Sequence, residues 1–369
     1  MRISPIIKII FLFLFSRVLF LIVFVITTSV QDVLPEKNLY WNYSANKVLN
    51  FLGCWDSGWY LYIANVGYVN TPLNQGQTNY GFFPMYPLLL KIFSFLTGDT
   101  YSAGILVSNL ATILAAFLLF ALCQHLYNNL RISYLAVFVL FFFPGSYLLS
   151  GVFSEACFLF FSLACFYYFE KGEYLWSSLF GCAATLTRPF GVLLIVPLLI
   201  RYFERRGLGG NKGMIYLFLI PLGLIMFFTY CYFTTGDFFL YIHAKQIGWQ
   251  TQSDNPINVL INGIRHPKDI YFYVNTWYCI GIIALLAFAY KYIPFSYWIW
   301  SFLLIIAPLS NGDVNLICMP RYILVAFPMF ILLARYASYS IIGKIAMLLL
   351  VLINFILCSF YVLGYQFAA

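Results

Sequence analysis

Charge is what this sequence has least of. Of 369 residues only 9% are Asp, Glu, Lys or Arg, where soluble domains carry about a quarter. There are twelve acids and three histidines in all. The nine cysteines form no CxxC and no metal spacing, and seven of them fall in or beside apolar runs, where cysteine behaves as a small hydrophobe. Only Cys54 and Cys318 sit in expected loops, which leaves a disulfide between them open. Walker, Rossmann and GxSxG patterns are missing. Asp-x-Asp, the metal-nucleotide signature of soluble sugar-nucleotide transferases, is missing too, which argues against a soluble nucleotide donor.

What fills the chain instead is apolar: 63% of residues are hydrophobic, 21% aromatic, and mean hydropathy is +0.88. An all-α integral membrane protein follows, built as one polytopic domain over 1–369. The net charge of +8 does not point to nucleic acid, because the cations are scattered between apolar spans rather than gathered on one face. A membrane-crossing helix needs about 20 apolar residues. Eleven stretches are expected to serve, near 6–30, 102–125, 133–150, 154–170, 174–187, 189–204, 214–234, 270–290, 294–309, 321–337 and 341–364. Pro144 and Pro189 mark breaks among the shorter ones. The basic start resembles a signal peptide, but its apolar run is too long and no cleavage site follows, so a retained first span containing Arg17 is expected.

Orientation follows from the cations. With a cytoplasmic N-terminus, the inner segments carry eleven Lys or Arg against three acids, and RYFERRGLGGNKG falls inside, as the positive-inside rule asks. The outer segments then hold nine of the twelve acids and the two longest loops, about 31–101 and 235–269. Chemistry at the outer surface is the expectation. Within the first loop, residues 85–96 are apolar apart from Lys91 and too short to span. They read as an interfacial helix anchored by Tyr86 and Lys91.

The outer segments supply the candidate residues. Asp56 sits in CWDSGWY among Trp55, Trp59 and Tyr60, where aromatic desolvation would raise its pKa toward that of a general base. Glu155, in GVFSEACF, is either a helix-terminal acid after Ser154 or a polar group of a cavity. Arg188 in TLTRPFG and Arg321 in MPRYILVAFP stand where the chain enters apolar sequence, and an arginine fork matches a phosphate. The loop TTGDFFLYIHAKQIGW adds Asp237, His243, Lys245 and Trp249. His243 and Lys245 would share a face in an extended loop but not on a helix. Asp313 could pair with Arg321 or serve only a turn.

These pieces, in order, resemble the PIG-V family of mannosyltransferases in the GT-C class of polytopic glycosyltransferases. The matching segments are CWDSGWYLYIANVGY, FFPMYPLL, GVFSEACFLF, LTRPFG, TGDFFLYIHAKQIGW and MPRYILVAFP. The length is that of compact bacterial members, which implies a bacterial plasma membrane. The resemblance implies a GT-C-like bundle of about 11 transmembrane helices with an interfacial helix in the first outer loop. It implies inverting transfer of mannose from a polyprenyl-phosphate donor to a glycan or glycolipid acceptor at the non-cytoplasmic face. Asp56 would be the catalytic base and Arg188, Arg321, His243 and Lys245 the donor-phosphate ligands. Trp55, Trp59, Glu155 and Asp237 would support them. No metal ligand is assigned and a divalent ion is left open. A lipid flippase, or a lipid-linked polysaccharide ligase or polymerase, stays open beside this reading.

Overall fold

The computed structural model describes residues 4–35, 41–72, 76–206 and 212–368. Every regular element named below is helical. The first, α1 (Pro5–Val30), starts at a Ser4 cap with proline in its first turn. Arg17 lies midway along it under the rings of Phe13, Phe20 and Phe141 and donates to the Ser146 carbonyl. The chain then forms α2 (Asp56–Val66), α3 (Met85–Thr97) and α4 (Thr100–Tyr127). Asp99 caps α4 by accepting the Ser102 amide at 2.8 Å. Ala103, Gly104, Ser108, Ala111, Ala115 and Ala116 make one face of α4 narrow enough for a neighbouring backbone to approach closely. Against it packs α6 (Glu155–Lys171), which is preceded by α5 (Leu130–Phe142).

The second half runs through α7 (Tyr174–Thr187), α8 (Ile195–Arg206), α9 (Leu219–Thr235), α10 (Leu240–Trp249) and α11 (Pro256–Arg265). It ends with α12 (Ile270–Phe288), α13 (Phe295–Leu309), α14 (Met319–Leu324), α15 (Pro328–Tyr339) and α16 (Ile341–Leu363).

Among the described residues, five helical stretches are long and apolar enough to cross a membrane. They are Pro5–Val30, Thr100–Tyr127, Gly213–Thr235, Ile270–Phe288 and Ile341–Leu363. A sixth is reached if Leu316–Leu324 and Pro328–Tyr339, bent by 73°, count as one. The other expected spans exist as shorter helices. The stretch 133–150 stops at Phe142, before Pro144, and 189–204 begins with a tight turn at Pro189 and becomes α-helical only at Ile195. A proline removes a backbone donor and crowds the preceding turn, so single long helices cannot form there.

These breaks position the site. After Pro144, Gly145 takes φ +89°, and Asn354 of α16 accepts its amide at 3.1 Å. The following turn, Ser146–Ser150, delivers Ser154 and Glu155 to the start of α6. After Pro189 the turn folds back against α7 so tightly that a Cβ on Gly191 would lie 2.4 Å from the Thr185 amide nitrogen. Arg188 is thereby fixed at the end of α7.

One expectation fails. Tyr86 is no headgroup anchor: it is fully buried, with its hydroxyl 3.0 Å from Ser108 of α4. Lys91 and the apolar Leu88, Ile92, Phe95 and Leu96 form the exposed face of α3. No disulfide joins Cys54 and Cys318, which closes the possibility that their loop positions left open.

The opposite end of α6 carries its own ion-pair cluster. Glu170 accepts from Arg201 at 2.6 and 3.3 Å, from Arg205 at 3.1 Å and from the Tyr297 hydroxyl at 2.9 Å. Glu204 accepts the Ser296 amide and hydroxyl and ties α8 to α13. At about 1.5 Å per residue, the fifteen steps from Glu155 to Glu170 separate the two clusters by roughly 22 Å.

Candidate active site

Asp56 opens α2, where an acid suits the helix dipole. Two devices hold it. The Ser57 hydroxyl accepts the Cys54 amide at 3.1 Å and donates to the Val152 carbonyl at 2.9 Å, docking the loop on the segment that leads to Glu155. Trp55, just before Asp56, has φ +45° and ψ −108°, a region that a bulky residue enters only at a cost. Trp41 and Tyr361 pack its ring at 5.3 and 5.9 Å and hold that conformation.

The acid and the arginines that the sequence placed far apart meet here. Arg321 of α14 donates from Nη1 to Asp56 Oδ2 at 2.5 Å and from Nε to Glu155 Oε1. Arg188 donates from Nη2 to the same Glu155 oxygen at 2.5 Å and from Nε to Ser154 Oγ at 3.1 Å. Ser154 Oγ lies 2.8 Å from the Tyr60 hydroxyl, one helical turn from Asp56. The result is a closed ring: Asp56, Arg321, Glu155, Arg188, Ser154, Tyr60, and back through α2. Glu155 is fully buried and Arg188 and Arg321 are 8% and 6% exposed. Glu155 is thus both the first residue of its helix and the counter-ion of two arginines.

Above this ring opens a cavity of about 400 Å³, within the size range of small-molecule sites. Asp56, Tyr60, Arg188, Lys245 and Arg321 line it; Glu155 and Ser154 lie beneath it. Asp56 keeps 26% of its side chain exposed there, and among the described residues its Oδ1 accepts nothing from the protein. Among the described residues Arg188 Nη1 and Glu155 Oε2 are buried without hydrogen-bond partners. Three cations stand against two carboxylates, so the site carries one positive charge in excess and fits an anion. Among the described residues no group of three or more His, Cys, Asp or Glu side chains converges on a metal position. Both local carboxylates are already engaged by arginine.

Lys245 approaches from α10. Its Nζ lies 4.1 Å from the Trp249 ring centre and 4.7 Å from that of Phe82, a pair of cation–π contacts. Trp249 in turn packs edge-on against Trp59 and Phe82, and a Cβ on Gly81 would meet it at 2.8 Å. Trp59 stacks on Phe82 and supports this wall without lining the cavity. Burial, with Arg321 and Arg188 nearby, pushes the Lys245 ammonium down to about 8 against the pull of Asp56. Asp56 departs from the sequence expectation. Burial raises its carboxyl, but the charges of Arg321, Lys245 and Arg188 outweigh burial and hold it below the ordinary carboxylate value.

His243 and Asp237 are not in this assembly. The segment is helical from Leu240, so His243 falls on a different face from Lys245 and Trp249. Asp237 accepts the Phe239 amide at 2.9 Å and pairs with His243 at 2.6 Å, away from the cavity. The side chain of Asp313 lies outside the described residues. Sequence reasoning passed over Ser154 as a ligand of Arg188, and Tyr60, whose i, i+4 spacing from Asp56 was the available signal.

No family model matches the chain, and no curated protein matches it in sequence. Solved structures do match in fold. ArnT from Cupriavidus metallidurans bound to undecaprenyl phosphate shares 15% identity at a TM-score of 0.55, covering 91% of this chain and 62% of that one. The apo form of the same protein gives 16% and 0.52 over 91% and 61%. The archaeal oligosaccharyltransferase AglB from Archaeoglobus fulgidus, in complex with an inhibitory peptide and a dolichol-phosphate, gives 13% and 0.46, covering 96% and 56%. This chain therefore spans about three fifths of the length of the ArnT structures it resembles. It is an all-helical membrane protein with the fold of ArnT.

Proposed function

We propose that this protein is an inverting glycosyltransferase that moves a sugar, mannose by the resemblance of its motifs, from a polyprenyl phosphate to a hydroxyl of a glycan or glycolipid acceptor. The observation that carries the reading is one cavity holding an accessible carboxylate, Asp56, beside Arg188, Arg321 and Lys245, with a single positive charge in excess. A phosphodiester donor brings one negative charge and balances that excess. A pyrophosphate-linked donor brings more, which weighs against the ligase or polymerase alternative.

In this reaction the acceptor hydroxyl gives its proton to Asp56 Oδ1 while its oxygen attacks the anomeric carbon. The bond from that carbon to the phosphate oxygen breaks on the opposite face, through an oxocarbenium-like transition state. Polyprenyl phosphate leaves with the bonding electrons. Arg188, with its partnerless Nη1, and Lys245 stabilise the charge that develops on it. Arg321 holds Asp56 by Oδ2 and leaves Oδ1 free for the acceptor. Its low carboxyl keeps Asp56 ionised and ready to take a proton throughout the neutral range.

The polyprenyl chain leaves the cavity past Phe83, Phe190, Tyr241 and Ile242, the apolar part of the lining, rather than only alongside α3. A non-cytoplasmic site is supported by the cluster around Glu170, Arg201 and Arg205, which sits at the far end of α6 next to the densest basic loop. The test is direct. Purified protein in nanodiscs is given polyprenyl-phosphate mannose and candidate acceptors, and polyprenyl phosphate is measured. Acceptor-dependent release supports a transferase. Movement of intact donor across the bilayer without release means a flippase.

A further inference from the structure

The floor and mouth of the cavity differ in chemistry. All four charged lining residues (Asp56, Arg188, Lys245 and Arg321) belong to the floor and its near wall, and the two arginines are buried. The mouth is built from the largely exposed polar part of the lining: Gln246 on α10, Thr251–Ser253 after it, Asn311 after α13, and Gln366 in the last turn. Among the described lining residues it contains hydroxyls and primary amides and no charge.

Its backbone is pinned although its side chains are free. The Gln252 amide donates to the Asn311 carbonyl at 3.3 Å and the Asp254 amide to the Ser310 carbonyl at 3.0 Å. Gly312 takes φ +92°, and a Cβ on it would meet the Gln252 carbonyl oxygen at 2.9 Å, so only glycine lets these segments close on each other. The turn Asp313–Cys318 packs against the turn that bears Gln366. Yet the side-chain amides of Gln252, Asn311 and Gln366 form no hydrogen bond to any described residue, and all three residues are exposed. Trp55, beside Asp56, adds an aromatic surface to the same cavity.

We propose that this rim is the acceptor subsite, and that it takes an uncharged polyhydroxyl group, the sugar end of a glycan. The inference rests on the transferase reading and narrows its acceptor. A primary amide offers both donors and an acceptor, so it pairs with hydroxyls that are themselves donor and acceptor. Among the described lining residues, a phosphate or carboxylate entering at the rim meets no cation and an ammonium meets no carboxylate. The donor phosphate already balances the one excess charge of the floor.

The experiment compares acceptors and variants on the full-length protein in nanodiscs. The acceptors are an alkyl mannoside, the same glycoside carrying a phosphate, and a serine-containing peptide, each with polyprenyl-phosphate mannose. The uncharged glycoside should be the best acceptor. Q252A, N311A and Q366A should each raise its KM between about three- and tenfold, as loss of one or two neutral hydrogen bonds does. Affinity for polyprenyl phosphate should stay unchanged in all three. Preference for the phosphorylated glycoside or the peptide, or an unchanged glycoside KM in all three variants, overturns the subsite and leaves the transferase intact. A wild type that binds no polyprenyl phosphate and releases none with any acceptor overturns the transferase reading itself.

Discussion

Arg321 Nη1 lies 2.5 Å from Asp56 Oδ2, joining residues 265 positions apart in the chain, and its Nε reaches Glu155 from the other side. One guanidinium thus spans the proposed base and the buried acid beneath it. An ammonium cannot copy this, since it lacks the planar fork. Arg321→Lys should fold but lose one of the two contacts and most of its activity. Arg321→Ala, which leaves Glu155 with less compensation in a buried site, should cost about 3–5 kcal/mol of stability. Thermal unfolding in detergent, read beside sugar transfer, checks both.

Glu155 gives the complementary prediction. Glu155→Ala leaves buried Arg188 without a carboxylate and buried Arg321 with Asp56 alone. A substantial drop in thermal stability is expected, again on the order of 3–5 kcal/mol. Adding Arg188→Met should restore part of it by removing one stranded charge. If the double variant is no more stable than Glu155→Ala alone, the two residues are not coupled as the geometry indicates.

Lys245 sets a pH dependence. Its ammonium is lowered to about 8 in the free protein, so the cation is present below that value and lost above it. Polyprenyl-phosphate affinity should fall above about pH 8, with proton uptake on binding in that upper range. Lys245→Arg, charged at every accessible pH, should remove this alkaline limb. Binding measured between pH 6 and 10 reads the difference.

Tyr60 lines the cavity one turn after Asp56, and burial pushes its phenol up to about 12, so it stays a hydrogen-bond donor. Tyr60→Phe keeps the edge contacts with Phe82 and Tyr86 and deletes only the hydroxyl. Turnover should fall between about three- and tenfold, with the protein as well folded as wild type. An unchanged kcat would assign the hydroxyl to packing alone.

The membrane class and the helical fold could be read from composition, and Asp56, Arg188 and Arg321, which the fold brings together, could be singled out from where ionisable residues interrupt apolar sequence. Hydropathy alone could not tell a spanning helix from one broken at Pro144 or Pro189, because both halves are equally apolar. Asp56 was misjudged in one respect: aromatic neighbours are visible in sequence, whereas the three cations that overcome their effect come from α7, α10 and the Arg321 turn. His243 and Lys245 show the same limit. Two residues apart, they separate or converge according to backbone conformation, and the helix from Leu240 separates them. Tyr86 was read as an anchor from its place in an amphipathic stretch, but the narrow face of α4 had room to bury it.

The central claim is that Asp56 takes the acceptor proton, and Asp56→Asn tests it most directly. The amide keeps the size and loses the charge. In nanodiscs supplied with polyprenyl-phosphate mannose and acceptor, release of polyprenyl phosphate should fall by about 10²–10⁴-fold, the usual contribution of a general base, while binding of polyprenyl phosphate persists. Release at the wild-type rate would contradict the account.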